Sequence, residues 1–423
     1  MPGAITPTLS TSDLAWLRVQ TPANPAVAVT TMVVDGRLDA ACVRSLLEDR
    51  LMIHQRFRQK VEPSQLPFYR PRWRECDDFL LADHFIELDL GEAPVASALE
   101  EVVSDLRSRP LDESRPLWQV HLVHLPKAGS ALVVRIHAAL ADCTALPDLA
   151  LALTDLPAAD RPRQRFELAA LSSPQQILER ASRTANATRT LCNLITARAD
   201  RDNPLRSRAG KDKSTVWSGP TPHKALFDRA AELDANPLDL VLAAVTGGLR
   251  RAFHRQDFPA QGVEISVVVP WNLRRSGDAP TGSKLALAPI RLPIGEPAAA
   301  DRLAAIKREV ERLALDPERL VVLGSDPSHA LSMTEIEERS VRLLGQKTTV
   351  AFGVFQAPTK IARLCGRPVR QLHWSPIPSG ETAVAIGVVD YAGDIRYEVV
   401  CDRGVAIDAD RLTGDLADAI SEI

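Results

Sequence analysis

Cysteine is scarce in this sequence, and its few cysteines are not closely paired. Six of them are scattered over 423 residues without a CxxC spacing, at Cys42, Cys76, Cys143, Cys192, Cys365 and Cys401. This scatter argues against a disulfide scaffold and against a zinc ribbon. We therefore expect a chain that resides in a reducing cytoplasm.

Long apolar runs are missing as well. No stretch offers 18 uninterrupted apolar residues, and residues 1–7 lack the charged and apolar regions of a secretory signal. We expect a chain that is neither exported nor membrane-spanning. A peripheral membrane contact stays open, because an exposed apolar patch is a three-dimensional property. The net charge of -3 gives no general reason to expect nucleic acid as a partner.

What the sequence does have is length enough for two domains. A chain of 423 residues is longer than a single hydrophobic core ordinarily supports, and it matches two domains of about 200 residues each. The character of the chain changes between Asp155 and Ser214. We therefore divide it into a first subdomain at 1–155, a crossover linker at 156–214 and a second subdomain at 215–423.

The end of that linker is basic and polar, from Arg201 to Lys213. We interpret it as a mobile, solvated loop, because charge runs usually keep a loop in water. There are two more specific interpretations of this loop. It could bind the phosphates of a thioester cofactor, or it could contact an anionic membrane.

Helical and strand patterns alternate in both halves. The β-branched run 26–35 predicts a strand, and Val43, Leu47 and Leu51 predict a helix capped by Asp39. Further helices are predicted over 99–106, 238–249 and 303–313, and further strands over 117–123, 131–137, 263–269, 383–389 and 395–401. The chain is thus predicted to be a mixed α/β protein.

One stretch, RIHAALADCT at 135–144, follows a predicted strand and precedes an apolar helical pattern. It resembles the HHxxxDG motif of the acyltransferases related to chloramphenicol acetyltransferase and of peptide-synthetase condensation domains. Other segments make the chain similar to the bacterial wax ester synthase/diacylglycerol acyltransferase family, among them LSTSDLAWL at 9–17, RPLD at 109–112, RPLWQVHL at 115–122, NPLDLVLA at 236–243 and GSKLAL at 282–287. The resemblance runs from about residue 8 to 415 in this order of motifs.

This resemblance implies an α/β fold with two chloramphenicol-acetyltransferase-like subdomains and a tunnel at their junction. It implies transfer of an acyl group from a thioester to a hydroxyl, with acyl-CoA or the phosphopantetheine thioester of an acyl carrier protein as donor. The acceptor would be a lipid or another small molecule. No cofactor is expected to stay bound, and no metal, because His121 and His124 face opposite sides of a predicted strand.

The resemblance also implies roles for the motif residues, and the residue at the position of the general base cannot perform that role. The second histidine of the motif is the general base in the family, since a neutral imidazole can take the proton of the attacking hydroxyl. Here that position is Ala138, which cannot accept a proton. His137 is not an automatic replacement, because neighbouring strand residues point to opposite faces. By match, His137 and Asp142 support the motif, and Arg274 is the partner of Asp142.

Four further residues are candidates for the tunnel wall: Trp118, Trp271, Asp239 and Ser283. Of these, we expect the two tryptophans chiefly to pack in the core or at the junction. Cys143 stands where the family has glycine, and we expect a buried thiol there rather than a nucleophile.

Ala138 has two explanations that the sequence leaves open. One is a change of the catalytic base in an otherwise intact enzyme, which retention of His137, Asp142 and Arg274 favours. The other is natural decay, which the departures at Cys143, at Leu238 and at 353–358 favour. The leading hypothesis is an O-acyltransferase; the alternatives are amide formation of the condensation type and a non-catalytic acyl-binding homologue.

Overall fold

The computed structural model describes most of the chain as helices and strands around two sheets. The described residues are 8–64, 70–91, 95–126, 129–157, 184–207, 210–275, 277–316, 319–324, 331–378, 380–419 and 422–423. Their α-helices are α1 (Thr11–Val19), α2 (Ala40–Arg50), α3 (Val95–Ser108), α4 (Leu146–Ala152), α5 (Thr184–Thr196), α6 (His223–Glu232), α7 (Pro237–Arg255), α8 (Ala299–Leu315), α9 (Leu331–Lys347) and α10 (Ala409–Ala419). Their strands in the first half are β1 (Val27–Val34), β2 (Gln59–Glu62), β3 (Arg72–Glu75), β4 (Phe85–Asp89), β5 (Trp118–His124) and β6 (Ser130–His137). Those in the second half are β7 (Lys213–Trp217), β8 (Thr221–Pro222), β9 (Ile265–Asn272), β10 (Leu285–Leu292), β11 (Val321–Leu323), β12 (Val350–Gln356), β13 (Arg363–Leu364), β14 (Arg367–Trp374), β15 (Val384–Tyr391) and β16 (Asp394–Asp402).

The first sheet has the strand order β13-β14-β1-β6-β5-β4. β6 lies near its centre, antiparallel to both β1 and β5. Every residue of β6 is buried, so the strand is covered on both faces. That burial explains why residues 131–134 of β6 are all apolar instead of alternating with polar residues.

The second sheet has the order β11-β10-β9-β12-β15-β16-β7, with β8 also paired to β16. The two faces of β9 pack in different cores: Val267 and Val269 in the core of the second sheet, and Val268 in the core of the first. One face of β9 and β10 therefore looks toward the first sheet.

The predicted helices and strands are confirmed, with small shifts at their ends. Asp39 caps α2 through the N–H groups of Ala41 and Cys42, as expected. The last two predicted strands, β15 and β16, pair antiparallel with each other. The strand expected from 263 begins at Ile265, after a turn in which the Val263 N–H binds the Ala260 carbonyl.

The division into 1–155, 156–214 and 215–423 stays a prediction, and strand pairing complicates it. β14 lies in the second half of the chain but pairs antiparallel with β1 in the first sheet. The second half therefore supplies an edge of the first sheet.

The basic end of the linker is not the solvated loop that we expected. Leu205 is fully buried, and Lys213 lies at the start of β7, where its ammonium binds the carboxylate of Asp402. The guanidinium of Arg206 donates to the backbone carbonyl of Gln346 at 2.6 Å. The solvated interpretation is wrong for these positions, because each has a packed or hydrogen-bonded partner; residues 158–183 and 208–209 lie outside the described part.

The expectation about cysteine also needs correction. Cys42 of α2 and Cys365 in the β13–β14 turn form a disulfide, with their Cα atoms 6.2 Å apart. Cys76, Cys143, Cys192 and Cys401 are free. This pair was not predicted, because its two residues are 323 positions apart along the chain. Cytoplasmic location, which was inferred from the scatter of the cysteines, stays a prediction.

Among the helices of the described residues, none combines the length and the apolar character that crossing a membrane requires.

Candidate active site

The motif lies where β6 ends and the chain turns toward α4. The last residue of β6 is His137, and the Ala138 N–H donates to the Ala26 carbonyl at 2.9 Å, just before β1. Ala138 to Ala141 are all fully buried. The central position of β6 thus places the turn inside the molecule, at the side that faces the second sheet.

Asp142 is the most heavily hydrogen-bonded residue of the turn. Its carboxylate accepts from the N–H and hydroxyl of Thr144 at 3.0 and 2.6 Å, and from the Lys284 N–H at 2.8 Å. Arg274 completes the set, with Nη1 2.8 Å from Oδ2. The pair is buried, and a buried pair is tolerated when its remaining acceptors are satisfied, as they are here.

The ion pair that we expected between Asp142 and Arg274 is therefore present, and it joins the two sheets. Arg274 follows β9, and Lys284 precedes β10. Gly282 also bonds the turn, since its N–H donates to the Leu140 carbonyl at 2.6 Å. Gly282 has φ +73°, a left-handed conformation that favours glycine.

His137 is held as a neutral imidazole. Its Nδ1 accepts the Ala139 N–H at 3.0 Å, so the proton lies on Nε2, which donates to Gln20 Oε1 at 3.2 Å. Burial lowers the pKa of His137 to about 4. Both nitrogens are committed to the fold, so His137 is poorly placed to take a proton from a substrate.

Ala138 contributes a buried methyl group to the core of the first sheet, while its backbone is hydrogen-bonded. Its carbonyl accepts from the Ser283 hydroxyl at 3.2 Å, and the Ser283 N–H donates to Asp13 Oδ1 at 3.3 Å. Asp13 is buried and pairs with Arg56 at 2.9 Å. Asp13 and Gln20 were missed by reasoning from the sequence. Asp13 lies in the LSTSDLAWL segment, which could have marked it.

Cys143 is a buried, free thiol. Burial, with a smaller contribution from the charge of Asp142, raises the pKa of Cys143 to about 12. Its carbonyl accepts from Trp374 Nε1 at 3.0 Å. Cys143 borders a cavity of about 20 Å³ together with Trp16, Val268 and Leu287, room for roughly one water molecule.

The structure places the four tunnel-wall candidates in different parts of the molecule. Trp118 is fully buried in the first core, donating to the Phe57 carbonyl at 2.8 Å, and Trp271 packs in the second core. Both rings pack in a core, as we expected, and a place in the tunnel wall stays a prediction for them. Asp239 lies in the first turn of α7 beside Lys307 of α8, away from the motif's contacts. Ser283 contacts the Ala138 carbonyl. Among the described residues, no group of three or more His, Cys, Asp or Glu could hold a metal ion.

Comparison with protein families accounts for most of the chain. The sequence model described as "Wax ester synthase/diacylglycerol acyltransferase catalytic domain" matches residues 9–232. The one described as "WS/DGAT C-terminal domain" matches residues 281–423. The "Probable diacyglycerol O-acyltransferase tgs1" of Mycobacterium tuberculosis is 22% identical over 98% of this chain and 95% of its own. The "Putative diacyglycerol O-acyltransferase Rv2484c" of the same species is 26% identical over 90% and 84%.

Solved structures agree at the level of the fold. The wax ester synthase/diacylglycerol acyltransferase from Marinobacter aquaeolei VT8 superposes with a TM-score of 0.67 at 17% identity, covering 98% of both chains. The first condensation domain of the CDA synthetase gives 0.68 at 17%, covering 99% of this chain and 97% of that one. A mutant starter condensation domain of the rhizomide synthetase RzmA, in complex with C8-CoA and Leu-SNAC, gives 0.63 at 16%, covering 98% and 93%. At these identities the likeness shows the fold, here the two-subdomain fold related to chloramphenicol acetyltransferase.

Proposed function

The chain belongs to the wax ester synthase/diacylglycerol acyltransferase family, and on that premise we propose that its site is built to move an acyl group from a thioester to a hydroxyl. The observation that carries the proposal is the contact set of Asp142 with Arg274, Thr144 and Lys284. It holds the motif turn against the second sheet. Ala138 lies four residues before Asp142 in the same turn, and its carbonyl accepts a hydrogen bond from the Ser283 hydroxyl.

The reaction needs one proton acceptor. The hydroxyl oxygen attacks the thioester carbonyl, its proton passes to a base, and a proton is returned to the leaving thiolate. Ala138 offers no such group. His137 has both nitrogens engaged, Asp142 is saturated by donors, and the Cys143 thiol stays protonated because burial raises its pKa. We therefore propose a complete scaffold whose proton-transfer step is impaired.

Acyl-CoA is the donor that we favour. A relative of this fold was solved in complex with C8-CoA. An acyl carrier protein presents the same phosphopantetheine arm and stays the alternative donor. The acceptor class is a hydroxyl on a lipid or another small molecule, in keeping with the O-acyltransferase names of the relatives.

The test installs the missing base. Ala138→His should raise acyl transfer about 10²–10⁴-fold over the unaltered chain, the gain that one positioned general base provides. Release of CoA thiol from acyl-CoA, with fatty alcohols and diacylglycerol offered, measures it. Ala138→Gln is the matched control, because its side chain has comparable size but accepts no proton at neutral pH.

Two results would separate the alternatives. No gain in Ala138→His with CoA or carrier-borne donors, in a protein that melts like the unaltered chain, would contradict the proposal. That result favours a non-catalytic acyl-binding homologue. A gain with amines and none with alcohols would assign the site to amide formation.

A further inference from the structure

The turn that carries Ala138 is closed in this structure. Ala138 has no exposed surface, and the cavity that reaches the turn at Cys143 measures about 20 Å³, room for roughly one water molecule. Pro376 and Ile377, which follow β14, form part of the wall of this cavity. Because an acyl thioester and a hydroxyl compound are each far larger than one water molecule, part of this wall must move before substrates reach the turn.

Trp374, the last residue of β14, fills the space beside the turn. Its indole N–H donates to the Cys143 carbonyl at 3.0 Å, and its side chain is almost fully buried. The ring lies against Gly353 of β12, where a Cβ atom would come within 2.7 Å of it. Gly353 belongs to the segment 353–358, in which the sequence differs from the family motif. The missing side chain there makes room for Trp374, so opening of the turn on this side requires Trp374 to move.

The β13–β14 hairpin that carries Trp374 lies at the edge of the first sheet. On its inner side β14 pairs with β1 through residues 369–374, and on its outer side it meets the two-residue strand β13. Elements at an edge, with few neighbours, open locally at a lower free energy than central strands. The hairpin and the residues that follow it are thus the part of the cavity wall best suited to move.

A disulfide fastens the tip of this hairpin to α2. Cys365 lies in the turn between β13 and β14, and Cys42 lies in the first turn of α2. Both residues are partly exposed, so a dissolved reductant can reach them. Hydrogen bonds also hold the tip, among them the one from the Arg363 N–H to Asp155 Oδ1 at 2.7 Å. Of these contacts, the disulfide is the one that a reductant breaks.

We propose that the Cys42–Cys365 disulfide is a redox latch on the site: while it is formed the turn stays closed, and its reduction lets the hairpin and Trp374 move away from the turn. This inference rests on the proposed function, whose site the latch regulates. In the reducing compartment that we predict for this chain, disulfides are usually redox-sensing or catalytic. A dithiol reductant supplies two electrons and two protons to the S–S bond; the chain gains two thiols, and the reductant becomes a disulfide.

The first measurement follows access to the cavity through Cys143 and needs no acyl transfer. The oxidised chain, the chain reduced with dithiothreitol and then freed of it, and Cys42→Ser are treated with a maleimide, and the modified peptides are quantified by mass spectrometry. We expect Cys143 to react at least about tenfold faster in the reduced chain and in Cys42→Ser, because a cross-link restrains local opening. Cys401, a free thiol buried in the core of the second sheet, should react equally slowly in all three.

A control variant and a second measurement locate the movement. Cys192→Ser replaces an exposed free cysteine and should keep the slow rate of the oxidised chain at Cys143. Hydrogen exchange of the unaltered chain should become faster on reduction at residues 369–377 and 141–146. It should stay unchanged in β9, which lies inside the second sheet.

The proposal is overturned if Cys143 reacts at the same rate in the oxidised and reduced chains. It is also overturned if Cys143 and Cys401, or the hairpin and β9, accelerate by the same factor, because that indicates general loosening. A third contradicting result is an air-oxidised chain that, once denatured, has six free thiols instead of four. Each of these results leaves the proposed acyl transfer standing, whereas failure of Ala138→His would refute that function and leave these rates unaffected.

Discussion

At the scale of single residues, Ala138 and His137 are adjacent at the end of β6, and both ring nitrogens of His137 already have hydrogen-bond partners. The Ala139 N–H occupies its Nδ1, and its Nε2–H donates to Gln20. These two contacts support the proposal that His137 holds the motif in place and does not transfer a proton.

Asp239 provides a prediction at the same scale. Burial in the first turn of α7 raises the pKa of this carboxyl from 3.8 to about 6. The folded chain then binds the proton more tightly than the unfolded one, so stability from this group is present below about pH 4 and is lost as pH rises to about 6. Asp239→Asn should be more stable than the unaltered chain by about 2 kcal/mol at pH 7.5 and equal to it near pH 4.

Urea unfolding at the two pH values measures this difference. Asp301→Asn removes an exposed acid from the first turn of α8 and controls for the loss of a helix-end charge. A stability gain in Asp239→Asn that is the same at both pH values would show that the carboxyl does not titrate as described.

At the scale of elements, the β13–β14 hairpin links the surface to the motif. Its tip is the Cys365–Gly366 turn, where both residues have positive φ, and the disulfide fastens Cys365 to α2. Its other end is Trp374, which donates to the Cys143 carbonyl. A hairpin from the second half thus supports the turn that carries Ala138.

The disulfide should contribute measurably to stability. Cys42→Ser should lower the free energy of unfolding by about 2–4 kcal/mol in the absence of reductant, because the unfolded chain gains freedom without the cross-link. With dithiothreitol, the variant and the unaltered chain should unfold alike. Urea unfolding with and without reductant measures both.

Cys192→Ser, which replaces an exposed free cysteine, is the matched control and should change little. Unfolding of the unaltered chain that does not respond to dithiothreitol would show that Cys42 and Cys365 are not cross-linked in solution.

At the scale of the whole molecule, buried ion pairs join the two halves of the chain. Arg107 of α3 binds Glu398 of β16, and both side chains are almost fully buried. Trp217 of β7 also donates to Glu398, at 3.0 Å. These contacts lie across the packing of α3 on the second sheet, so they hold the subdomains together.

Glu398→Gln should therefore destabilise the chain by about 3–5 kcal/mol, because it leaves the Arg107 guanidinium buried without its counter-charge. Asp105→Asn removes the partner of Arg109 in an exposed pair and should cost at most about 1 kcal/mol. Urea unfolding compares the two variants. Equal effects would mean that the buried pair contributes no more than a surface one.

The sequence by itself determined the alternation of helices and strands, because each is encoded in a local period of apolar residues. It also determined the family, the motif and the pairing of Asp142 with Arg274, since these follow from matched segments. The roles of the site residues remain predictions. Only the tertiary structure decided that β14 crosses into the first sheet, that Trp118 and Trp271 pack in the cores and that Cys42 meets Cys365. It also decided that the ring nitrogens of His137 are engaged by the Ala139 N–H and by the Gln20 side chain. Each of these depends on which distant residues come into contact, 323 positions apart for the disulfide, and no local pattern records that.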